Sequence, residues 1–401
     1  MTDSPTVNTM HARPPILEVD SGFIAGTGIE CSAPMIEGGI RMDELAKTGH
    51  YEHVDTDIRM VGELGVRYLR YGIPIHLANP APGAYEWSFT DRAMAALQRE
   101  GIEPIVDLLH FGLPDDVPGF GDTSFPERFA AFVAAFADRF PWARYYTPVN
   151  EPLITASFSA QRGYWNERRS DDRSFVRAML NVARCVVLGT EEIRSRRPDA
   201  VFLQSDSCEA YHPVHPDAIE RAAFLNELRF IGFELAYGRH LPEVVRRYLL
   251  DNGGTDAELG WFEEHGSDAG CIAGNDYYDV SEKEVLADGS LRDAGVRAGY
   301  YRVGREYHDR LGVPIMLAET NMAGDGAVDW LHRIWTDAIR LRDDGVPIRG
   351  FIWYGFVNHV DWDSALTRND GRENTCGLVS LDRVPNATHA AYRELIGSLG
   401  R

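Results

Sequence analysis

Short apolar runs rich in β-branched and aromatic residues alternate with stretches of helical periodicity along most of this 401-residue chain. Few folds tolerate that pattern. Eight runs read as strands: Gly22–Thr27, Val66–Tyr71, Pro104–His110, Arg144–Asn150, Ala200–Ser205, Gly270–Tyr277, Val313–Glu319 and Arg349–Gly355. Between them, apolar residues recur at spacings of three and four. Phe125, Phe129, Phe132, Phe136 and Phe140 form one such stripe, and Val54, Ile58, Val61 and Leu64 another. Strand–helix–strand repeats give parallel sheets. An open, doubly wound sheet would need a glycine-rich phosphate turn, and Gly26-Thr27-Gly28-Ile29-Glu30 lacks both the third glycine and a helix start. The expectation is therefore α/β, a single-domain (β/α)8 barrel over residues 16–401, with a disordered arm at 1–15.

Bulk properties narrow the chemistry. A net charge of −21 disfavours nucleic acid and anionic membranes as partners. The five cysteines show no C-x-x-C spacing, which argues against a disulfide framework or a zinc site and for a reducing compartment. No run is long and apolar enough to span a bilayer. The polar residues 1–15 contain no secretory h-region, so a cytoplasmic location is expected. The oligomeric state stays open, a homo-oligomer included.

Two of the runs end in glutamate. Tyr145-Tyr146-Thr147-Pro148-Val149-Asn150-Glu151-Pro152 delivers an amide and a carboxyl where proline forces the chain out of the sheet, and Ile315-Met316-Leu317-Ala318-Glu319 delivers a second carboxyl. In a barrel these tips are where chemistry sits. One such Glu taken blind is usually a solvated loop residue, but a pair across a barrel mouth is what a carboxylate-pair glycosidase needs.

The motifs resemble those of the family 1 glycoside hydrolases, in order, from about Phe23 to Ile396. Thr147–Pro152 resembles T-x-N-E-P, which implies an acid/base role for Glu151. Leu317–Asn321 resembles I-T-E-N-G, which implies that Glu319 is the nucleophile, with Asn321 beside it. Leu109–Pro114 resembles Y-H-W-D-L-P and implies that His110 touches the sugar. Gly65–Arg70 resembles the second strand, whose arginine lies beside the nucleophile. Gly274-Asn275-Asp276-Tyr277-Tyr278 resembles G-x-N-Y-Y, which implies that Tyr278, or else Tyr277, holds the nucleophile. Trp353–Trp362 resembles W-S-L-L-D-N-F-E-W with one extra residue. Asn150 is expected to bond the sugar 2-hydroxyl, and Trp353, Trp362 and Trp165 to offer stacking faces. No cofactor is implied.

The departures concern substrate. The family's sugar-gripping Gln has no clear equivalent, and Glu30 stands at the first strand tip in that region. Asp361 is one carbon shorter than the family's glycone-binding Glu, His359-Val360 replaces its aromatic neighbour, His110 is followed by Phe111, and Asp276 replaces Asn. A site built for one hydroxyl array rejects others, so the glycone is expected to differ from plain glucose or to be held differently. The acid at Asp361 argues against a 6-phospho-sugar. A transglycosidase using the same site and a non-catalytic sugar-binding barrel are the rival readings. A metal-dependent hydrolase would need clustered ligands at several strand tips.

Overall fold

The computed structural model describes residues 23–399, so the arm expected at 1–15 lies outside the described residues. Eight parallel strands close into a barrel: β1 (Ile24–Ile29), β2 (Tyr68–Gly72), β3 (Glu103–Asp107), β4 (Tyr145–Thr147), β5 (Val201–Ser207), β6 (Cys271–Asp276), β7 (Ile315–Glu319) and β8 (Ile348–Tyr354). Each pairs with its neighbour in sequence, and β1 closes the ring on β8. All eight expected strands are present, with ends shifted by at most three residues. The largest overruns are at β3 and β4. The run Pro104–His110 stops at Asp107, and Phe111 turns the chain with φ of 64°. The run Arg144–Asn150 stops at Thr147.

Alternation along each strand builds two apolar layers. Ile105, Tyr145, Val201, Leu203, Ile272, Met316, Ile352 and Tyr354 fill the barrel interior. The opposite faces, including Leu69, Val106, Tyr146, Phe202, Leu317 and Phe351, pack under the helices. The stripes read from sequence are those helices' buried faces: His50–Leu64 buries Val54, Ile58, Val61 and Leu64, and Phe125–Arg139 buries Phe125, Phe129, Phe132 and Phe136. The closing helix runs Ala387–Ser398.

Short β elements rim the C-terminal mouth. Met35–Ile36 pairs with Ile40–Arg41 after β1, and His359–Val360 with Glu373–Asn374 after β8. A three-stranded sheet (Ala210–Pro213, Glu282–Val285, Leu291–Asp293) follows β5 and β6. Among the described residues, no helix is long and apolar enough to cross a membrane.

Candidate active site

Strand parity aims most of the polar residues at the mouth. On β2, Arg70 shares the inward face with Tyr68, and on β3, Asp107 shares it with Ile105. On β5, Ser205 shares it with Leu203, and on β6, Asp276 shares it with Ile272. Glu319 is the exception. It has the parity of Ile315 and Leu317, which face the helices. A register shift between Leu317 and Glu319, opposite Asn275 and Asp276 of β6, brings it back to the inner face. One extra residue in a strand re-aims the side chain that follows. At the tip of β4, the Asn150 N–H donates to Leu109 O (2.9 Å) and the Glu151 N–H to Ser205 O (3.1 Å). Glu151 then turns with φ of 38° into the helix Pro152–Ala160.

Arg70, fully buried, is the hub. Its Nη1 donates to Glu319 Oε1 at 2.6 Å, and its Nη2 to Asp107 Oδ2 and Asn150 Oδ1, both at 2.8 Å. Asp276 lies 3.7 Å from Nη1 and accepts from the Ser205 hydroxyl, which also reaches Asn150 Oδ1 at 3.0 Å. The Asn150 amide nitrogen is 3.1 Å from His110 Nε2, and His110 Nδ1 is 3.4 Å from Asp107. The Tyr278 hydroxyl donates to Glu319 Oε2 at 2.7 Å. Both oxygens of Glu319 are thus held. Because Arg70 offsets several buried acids, Arg70→Met is expected to destabilise the fold by about 3–5 kcal/mol. Urea unfolding would show this as a lower midpoint, and an unchanged midpoint would deny Arg70 that structural part.

The two glutamates differ electrostatically. Burial pushes the Glu151 carboxyl well above the ordinary range, and the nearby acids Asp276, Glu319 and Asp206 push the same way. Among the described residues, no Lys or Arg pairs with Glu151. Burial also raises Glu319, but Arg70, His110 and the Tyr278 hydroxyl pull it back. The first carboxyl of the pair to ionise is therefore Glu319.

Both line one cavity of about 470 Å³, with Glu30, His110, Phe111, Tyr278, Asn321, His359 and Trp362 among its walls. That volume lies in the range of small-molecule sites. The Asn321 amide donates to Tyr354 O. Phe111 and Trp362 belong to an aromatic cluster with the buried Trp165, whose indole N–H donates to Ala365 O at 3.0 Å.

Five expected positions fall elsewhere, among them Trp165, which is fully buried and off the cavity wall. The Tyr277 hydroxyl donates to Glu282 at 2.8 Å, on the side away from Glu319, which leaves Tyr278 as the donor. Asp276 lies beneath the carboxylates, on Ser205 and Arg70, and not on the cavity wall. Trp353 faces the helices, and its indole N–H donates to Cys376 O at 3.0 Å. Tyr354 is the inward residue, close enough to β1 that a Cβ on Gly28 would lie 2.1 Å from its ring. Matching the nine-residue motif from Tyr354 removes the extra residue. Asp361 does not line the cavity either. Lys47 Nζ (2.8 Å) and the Gly371 and Arg372 N–H groups (3.0 and 2.8 Å) occupy its carboxylate.

Sequence reasoning missed Asp107, Ser205, Tyr354 and His359 as site residues. Asp107 and Ser205 carry a signal in retrospect, since each is polar at the inward parity of an apolar strand. Cys31, Asp107 and His110 bring ligand-type atoms within 4.8 Å of one another. Arg70 already holds Asp107, so a metal there would sit against a fixed positive charge.

The chain is similar to a 6-phospho-beta-glucosidase of Clostridium longisporum, 22% identical over 88% of this chain and 86% of that one. It is also similar to a beta-galactosidase of Sulfolobus acidocaldarius, 23% identical over 68% of this chain and 58% of that one. The beta-glucosidase of Thermotoga maritima in complex with deoxynojirimycin shares the fold. Its TM-score is 0.80 at 18% identity, covering 95% of this chain and 98% of that one. The model of glycosyl hydrolase family 1 matches residues 36–240. With that match over half its length, the chain belongs to glycosyl hydrolase family 1 and is a β-glycoside hydrolase.

Proposed function

We propose that this enzyme hydrolyses a small β-glycoside with retention, by double displacement, with Glu319 as nucleophile and Glu151 as acid/base. The observation that carries the proposal is the unequal treatment of the two carboxyls. Arg70 and Tyr278 hold Glu319 at 2.6 and 2.7 Å, while Glu151 faces the same cavity with no Lys or Arg paired to it among the described residues. Pairs of acids whose surroundings push them apart take opposite proton roles.

In the first step Glu319 attacks the anomeric carbon from the face opposite the leaving group. The glycosidic bond breaks as Glu151 gives its proton to the departing oxygen. Glu319 is then an ester and no longer charged, so one source of pressure on Glu151 is gone and, its proton given away, it stays ionised. Glu151 next takes a proton from water. That water attacks the same carbon, releases Glu319 and restores the anomeric configuration. Asn150, its oxygen fixed by Arg70 and Ser205, offers its amide nitrogen to the sugar 2-hydroxyl. Trp362 supplies the stacking face.

The C. longisporum relative bears a 6-phospho name. In this chain the cavity wall contains neither Lys nor Arg among the described residues, and it carries Glu30, Asp279 and Asp363. A neutral glycone suits that wall better than a phosphorylated one.

A panel of nitrophenyl β-glycosides tests the reading, with the first-formed anomer followed by proton NMR. A β-anomer formed first supports retention, and an α-anomer first overturns it. If sugars shift the melting temperature while no β-glycoside turns over, the non-catalytic barrel is the better account.

Tyr278→Phe gives a finer test. The hydroxyl favours ionised Glu319, so its loss raises that carboxyl. The acid limb of kcat/KM is then expected to move to higher pH, with kcat down about tenfold for one charge-assisted bond. Tyr277→Phe, whose hydroxyl serves Glu282, leaves the acid limb in place.

A further inference from the structure

Lys47 withdraws Asp361 from the cavity, so the wall lacks the acid that the sequence pattern offers for gripping the glycone. Two buried groups take up that wall instead. Glu30 follows the end of β1 and is pinned by the Ser32 N–H, which donates to its Oε1 at 2.8 Å. His359, only 4% exposed, comes from the two-residue strand beyond β8. Its Nε2 has no hydrogen-bond partner within the protein. The ring fits there because residue 355 is glycine: a Cβ at that position would lie 2.8 Å from Nε2. The Trp362 indole nitrogen is likewise unpartnered. Buried polar groups are normally paired, and an orphan in a cavity wall calls for a partner that arrives from outside.

We propose that His359 is a specificity-determining residue, forming with Glu30 a donor–acceptor pair that bridges neighbouring hydroxyls of an uncharged glycone. The inference rests on the glycosidase reading above and specifies how that site chooses its sugar. The charges on this wall fit. Burial alone would lower the His359 imidazole, but Cys376, Glu30 and Glu44, the groups that face it, raise it to about 9. Burial likewise opposes ionisation of Glu30, yet His359 and His110 hold its carboxyl below the ordinary range. Glu44, bonded by the Val360 N–H at 2.9 Å, is pushed well above its ordinary range by burial and Glu30. Two imidazoles face the one Glu30 carboxylate, and neither Lys nor Arg lines the cavity among the described residues, so the wall offers a phosphate or carboxylate on the sugar no permanent cation.

The test is a substrate–variant cycle. Wild type, His359→Gln and His359→Ala are assayed on the best β-glycoside and on its 3-, 4- and 6-deoxy analogues. In the wild type, one deoxy analogue is expected to lose about 10- to 100-fold in kcat/KM, the worth of a charged hydrogen bond. In His359→Ala that loss disappears, because the intact substrate has already fallen to the same level. His359→Gln, which keeps a donor, retains part of it. The wild-type profile also loses activity as pH rises through about 9, and His359→Gln lacks that step. An unchanged pattern of deoxy penalties in both variants overturns the proposal, and His359→Gln alone decides it if the alanine variant does not fold. A 2-deoxy-2-fluoro glycoside that esterifies Glu319, read by peptide mass, keeps the two ideas apart. Labelling with unchanged penalties sinks only the role of His359, whereas a wild type that fails to label sinks the underlying mechanism.

Discussion

Replacing Glu319 with alanine is expected to lower kcat on nitrophenyl β-glycosides by at least about 10⁴-fold, the scale of losing a nucleophile. Added azide is expected to restore release of nitrophenol, because the shortened side chain leaves room for a small anion on the face that Glu319 occupied. The product would then be the α-glycosyl azide. A β-azide, or no rescue in a folded protein, would remove Glu319 from the nucleophile's role. The variant is suited to the test because Arg70 keeps partners without Glu319. Asp107 and Asn150 stay bonded at 2.8 Å, and Asp276 is 3.7 Å away. The loss should therefore appear in turnover and not in unfolding.

Why Glu319 could be picked from sequence, and its aim could not, is a matter of parity. Alternation is legible in a single chain, and it correctly separates interior from helix-facing residues on β3, β4 and β5. Applied to β7 it would turn Glu319 toward the helices, and only the register shift against β6 corrects this. A bulge depends on how two strands pair, which neither strand's own residues record. Trp353 and Tyr354 show the same limit at β8. Two aromatic neighbours look equally suited to a site until pairing fixes which one faces inward. Asp361 and Lys47 lie 314 positions apart, and nothing near either residue announces the ion pair. His359 was visible only as a departure from a pattern, because its importance comes from Glu30, Glu44 and Cys376, which three other segments bring to it. By contrast, Glu151 and Glu319 were readable as carboxyls where apolar strands end, which the barrel makes neighbours, and Arg70 and Tyr278 through the motifs they resemble, Tyr277 being left open beside Tyr278.

Glu151→Gln should separate the two halves of the reaction. The amide is nearly isosteric and holds no transferable proton, so the cost should depend on how much help the leaving group needs. Glycosides with a poor leaving group, such as methyl β-glycosides, are expected to lose about 10²- to 10⁴-fold in kcat/KM, the range for general acid catalysis. Dinitrophenyl glycosides, whose aglycone departs unaided, should keep kcat/KM while kcat falls, because water is no longer deprotonated in the second step. Nitrophenolate release then shows a burst followed by slow turnover. The pH profile carries the sign. Burial and the nearby Asp276, Glu319 and Asp206 raise Glu151, and its protonated form is the active one. Activity is therefore present below that raised value and lost as pH climbs through it. This alkaline loss in kcat/KM should be present in the wild type on poor leaving groups and already absent on the dinitrophenyl substrate, where only the step assigned to His359, near pH 9, remains. An equal loss on good and poor leaving groups would mean that Glu151 positions the substrate without transferring a proton. The acid would then have to be sought among the other buried carboxyls around Arg70, with Asp276, also pushed well above its ordinary range by burial and by Glu319, the first to examine.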